Sequence, residues 1–68
     1  MAAKEISRTK DFQRGLIMVL IDDGHGNTVP HTVKVLGVPD VEQDIADAVL
    51  RTEQQADAKA QIFEAVGL

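Results

Sequence analysis

Asp22, Asp23, His25 and Asn27 fall within the six residues Asp22-Asp23-Gly24-His25-Gly26-Asn27 and supply oxygen and nitrogen donors of the kind that coordinate a cation. The segment lacks the length and the closing bidentate glutamate of a calcium loop. Aspartate, glycine and asparagine in a short reversal are also what turn geometry selects, because glycine accepts positive φ and an Asx side chain bonds the backbone two residues on. A turn is therefore the stronger reading. His25 and His31 stand six residues apart, and zinc would need a third ligand or an orienting carboxylate that no spacing specifies. His31, between Val29 and Val33, reads instead as exposed or interfacial, and in an interface its protonation would weaken association at mildly acidic pH. Gly24 and Gly26 are spaced like part of a phosphate-binding loop, but such loops lead from a strand into a helix. This one leads into a second strand, so neither a metal nor another cofactor is expected.

Other chemistry is sparsely represented. Ser7 and scattered threonines are the only hydroxyl nucleophiles, with no Cys or Tyr and no base placed beside them. Asp40, Asp44 and Asp47 have the spacing of neighbours on a helix surface, where acids near the start of a helix stabilise it. A chain of 68 residues is also too small to enclose a substrate cleft of the usual several hundred Å³ without a partner. The expectation is a protein that is not an enzyme.

Lys4, Arg8, Lys10 and Arg14 could touch phosphate, which raises a small dimeric nucleic-acid-binding regulator as the alternative function. Two features oppose it. Residues 1–34 carry a net charge of +1 and residues 35–68 one of −5, so the second half repels phosphate. No short turn introduces a recognition helix, and with two Phe and no Trp or Tyr there is no stacking platform for single strands. The longest apolar run, Leu16–Ile21, is far shorter than the ~18 residues of a membrane helix, and "MAAKEISRTK" carries charge where a secretory signal needs an apolar core. A cytoplasmic chain, or one incorporated into an assembled particle, is expected, with no membrane partner.

The elements follow from the pattern. Residues 1–11 are polar, with Ile6 their one large aliphatic residue after Met1, and read as a loose N-terminal arm; the weak alternation of "EISRTK" makes a third strand the alternative. Leu16–Ile21 is a short apolar run closed by the turn, hence a strand, with Leu16, Met18 and Leu20 on one face and Ile17, Val19 and Ile21 on the other. Thr28–Leu36 alternates and pairs with Gly15–Asp22 as a hairpin, Pro30 being confined to a bulge, a strand end or an edge. From Pro39 to Val66 nothing interrupts a helix until Gly67. Its apolar residues form two patches, Val41/Ile45/Ala48/Val49 and Ile62/Phe63/Val66, joined by the polar stretch Thr52–Lys59.

The fold class is thus α+β: residues 12–68 form one small domain, a β-hairpin followed by one long C-terminal helix. One helix covers one face of the hairpin, and nothing remains for the other. The fold is therefore expected to be completed by oligomerisation, through Ile17, Val19 and Ile21 or their opposite-face counterparts, together with Ile62, Phe63 and Val66. The function expected is a structural or assembly subunit acting through self-association and contacts with other proteins, of the kind found in a larger particle such as a phage virion. Phosphate contact through Lys4, Arg8, Lys10 and Arg14 belongs only to the alternative.

Overall fold

A computed structural model describes residues 2–68. Three strands and one helix follow in chain order: β1 Lys4–Asp11, β2 Leu16–Asp22, β3 Thr28–Lys34 and α1 Val41–Ala65. The strands form an antiparallel meander in the order β1-β2-β3, with the apolar strand in the middle. Residues 4–11 are therefore not a loose arm. They pair with β2 from Lys4 opposite Asp22 to Asp11 opposite Leu16, with a bulge at Ile6 that breaks the alternation of the segment.

Each connection is set by local chemistry. Between β1 and β2, Asp11 accepts the Arg14 amide (3.2 Å), the Gly15 N–H donates to the Phe12 carbonyl (3.2 Å), and Gly15 takes φ +66°. Between β2 and β3, Gly24 and Gly26 adopt φ +83° and +90°, whereas Asn27 stays at negative φ. β2 and β3 are in continuous register, Leu16 opposite Lys34 through Asp22 opposite Thr28. Pro30 lies opposite Leu20 on an edge strand, where the missing N–H is tolerated.

The helix begins at Val41. Pro39 lies ahead of the cap, not in the first turn: Asp40 is extended (φ −141°) and its side chain accepts the Gln43 amide at 3.1 Å. Glu42 and Asp44 follow in the first turn. At the far end the Leu68 N–H bonds the Phe63 carbonyl (2.9 Å), the Gly67 N–H bonds that of Glu64 (3.1 Å), and Gly67 takes φ +82°. This pattern is a Schellman cap, which satisfies carbonyls of the last turn.

The core lies between the sheet and the first half of α1. Val19, Ile21, Val33, Ile45 and Ala48 are buried together, with Ile17, Val38, Val41 and Val49 packed around them. The odd-numbered face of β2 thus meets the helix, while Met18 and Leu20 remain exposed on the other face. Ala56, within the stretch expected to be polar, is buried as well. The helix passes beneath the β2–β3 turn there, and only beyond Ala60 are all residues exposed. This overhang makes the molecule 47 Å long against 19 and 16 Å across.

Candidate functional site

The segment that most resembled a ligand site is occupied by its own backbone. Asp23 is 5% exposed and accepts the amides of His25 (2.8 Å) and Asn27 (3.2 Å), while Asp22 accepts that of Gly24 (2.8 Å). The hydrogen bond from the His25 amide, above all, holds the Asp23 carboxyl below its ordinary range. Among the described residues no group of three or more His, Cys, Asp or Glu side chains converges on a point that could hold a metal.

Both histidines reach across to the helix. His25 Nε2 lies 2.8 Å from Asp57 Oδ1, and His31 Nε2 lies 2.9 Å from Asp44 Oδ2. The His25 contact, first among its causes, holds the Asp57 carboxyl low. His31 is part-buried on the helix side of β3, so it joins sheet to helix inside the chain. These bridges were not foreseen, because strand-to-helix register cannot be read from spacing along either element.

The four basic residues do not form a patch. Arg8 is committed to the helix, its Nη1 and Nη2 bonding Glu42 at 2.5 and 2.7 Å while Nε also bonds Glu5. Glu42, then Glu5, makes the Arg8 guanidinium still harder to deprotonate, and Arg8 in turn lowers the Glu42 carboxyl. Arg14 pairs with Asp11 at 3.7 Å in the β1–β2 turn. The register sets Lys4, opposite Asp22, on the open face and Lys10, opposite Ile17, on the helix face. A phosphate backbone would meet these charges on different sides of the molecule.

The residues expected at an interface divide sharply. Val19 and Ile21 are 1% and 0% exposed inside the chain's own core, whereas Ile17 packs against that cluster and stays part-exposed. The physical reason is that both faces of β2 are apolar, and the helix takes the odd one. Their opposite-face counterparts Met18 and Leu20 stay exposed, with Leu16 half-buried. Ile62, Phe63 and Val66 are all more than half exposed on the overhang.

One surface feature had no sequence signal. Between the β1–β2 turn and the loop after β3, Phe12, Leu16, Ile17, Val35 and Leu36 border an open, mainly apolar groove of about 500 Å³, with Arg8 and Lys10 along one side. The groove depends on the pairing of β1, which brings the turn beside Leu36. A smaller hollow of about 240 Å³ separates Asp23 and His25 from Lys59 and Phe63. Both edge strands are blunted, β1 by its bulge and Lys10, β3 by Pro30 and Lys34. Exposed apolar side chains lie on the open face, with Met18 and Leu20, and at the two ends, with Phe12 and Leu36 at one and Ile62, Phe63 and Val66 at the other. No helix is long and apolar enough to cross a membrane. Comparison with protein families, curated proteins and solved structures finds no match to this chain.

Proposed function

We propose that the protein is a non-enzymatic structural or assembly subunit that acts through self-association and contacts with other proteins. The observation that carries this reading is surface. The chain exposes 5062 Å², whereas a compact monomer of its mass of 7.4 kDa exposes about 4200 Å². The excess, about 850 Å², matches what one partner covers in a standard protein interface, about 800 Å². Exposed large apolar side chains group by element: Met18 and Leu20 on the open sheet face, Phe12 and Leu36 at the loop end of the sheet, and Ile62, Phe63 and Val66 on the overhang.

Rigidity supports it too. Those overhanging side chains stand on a helix closed by a complete cap, so a partner would order few groups on binding. Blunted edges disfavour association by strand addition and leave the faces and ends. Sedimentation equilibrium from micromolar to millimolar concentration tests the reading. The weight-average mass rises above 7.4 kDa with concentration if the subunit self-associates. A single species of that mass throughout would sink self-association.

A further inference from the structure

We propose that the apolar groove at the β1–β2 turn receives the overhanging helix end of a second copy, with Phe63 as the anchor and Ile62 and Val66 beside it. This rests on the self-association reading and names its contact. Groove and overhang lie at opposite ends of the chain: α1 starts near the groove, where Arg8 bonds Glu42, and runs past the β2–β3 turn.

Shape and charge both fit. Ile62 and Val66 are spaced i, i+4 and Phe63 and Val66 i, i+3, the spacing of a helix that lies in a groove. A volume of about 500 Å³ suits a few large side chains, and aromatic residues are the usual anchors of such pockets. The last turn of α1 contains no basic residue, so its negative dipole end is uncompensated within the chain. Glu64 is the one charged side chain between Ala60 and Leu68. Facing it, the groove offers Lys10, which has no ion pair among the described residues, whereas Asp11 on the same rim is paired with Arg14 and Arg8 with Glu5 and Glu42. A negative helix end therefore meets the uncommitted Lys10 ammonium at the groove's edge, which orients the approach. No second element of the same chain can supply this match, because its own helix end points away.

Each copy offers one groove and one helix end, so a variant that loses one still presents the other. Phe63→Asp removes the anchor, and Phe12→Asp with Leu36→Asp spoils the groove. Phe63 is 52% exposed, Phe12 88% and Leu36 97%, so the folds should survive, as far-ultraviolet circular dichroism would verify. Ile62→Asp, at a 64% exposed site, replaces Phe63→Asp should that variant unfold. Sedimentation velocity at equal concentration is expected to show association of each variant weakened by about tenfold or more. An equimolar mixture of the two then forms a 1:1 heterodimer through the remaining intact groove and helix end.

Variants that associate like the unaltered chain, or a mixture of folded variants that stays monomeric, would overturn the contact and leave self-association standing through another surface. An unaltered chain that stays monomeric to millimolar concentration would overturn both readings.

Discussion

Asp23 shows how one carboxylate can matter to a turn more than its charge suggests. It is buried, and its partners are amides of the five-residue reversal that joins β2 to β3. Its folded-state pKa lies below the ordinary range, as do those of Asp57 and Glu42. Groups depressed in the folded state contribute stability that is present above their unfolded pKa values, about 4, and lost as pH falls through the folded ones. Thermal melts followed by circular dichroism are thus expected to show a Tm that is flat near neutrality and falls below about pH 4. Asp23→Ala should lower the neutral Tm and shallow the acid limb together. A lowered Tm with an unchanged acid limb would assign the acid sensitivity to the other carboxylates.

At the scale of elements, the helix decides which face of β2 becomes interior. Ile21 is fully buried and Met18 is 44% exposed although they sit three residues apart on one strand. Ile21→Ala should cost about 2–5 kcal/mol, much of the total stability of a small domain. Met18→Ala should stay within about 0.5 kcal/mol of neutral in the dissociated chain, as surface changes do. Urea unfolding at low protein concentration measures both, and comparable losses would mean that the helix is docked on the wrong face.

The same contrast marks what the sequence disclosed. The hairpin, its turn and the helix were legible because β2 is an apolar run, Gly24 and Gly26 sit where positive φ is needed, and nothing interrupts Val41–Ala65. β1 was legible only as an alternative, because the bulge at Ile6 breaks its period and its residues are polar. The covered face of β2 was not legible, since Leu16, Met18 and Leu20 are as apolar as Ile17, Val19 and Ile21. The groove and the His25–Asp57 and His31–Asp44 bridges depend on tertiary register, which no local period encodes. The second apolar patch of the helix was legible in its residues, although Ala56 carries burial further along the helix than its polar neighbours suggested.

The whole molecule is long for its mass. Its radius of gyration is 13.9 Å, against about 11 Å for a compact chain of this length. Small-angle X-ray scattering should therefore extrapolate to about 14 Å at infinite dilution and increase with concentration. A value near 11 Å would mean that the helix folds back on the sheet, removing the exposed end on which the association contact depends.

The order of the elements along the chain has a consequence for its birth. Val19 and Ile21 need Ile45 and Ala48 as cover, and β1 is fastened to the helix through Arg8 to Glu42 and the Ala3 amide to Glu53 at 3.0 Å. At ~5–20 residues per second, a ribosome reaches Ile45 ~1–5 s after Ile21, whereas a hairpin closes in ~1–10 µs. The ribbon can therefore close on the order of a hundred thousand times or more before the residues that cover its oily side have been joined to the chain.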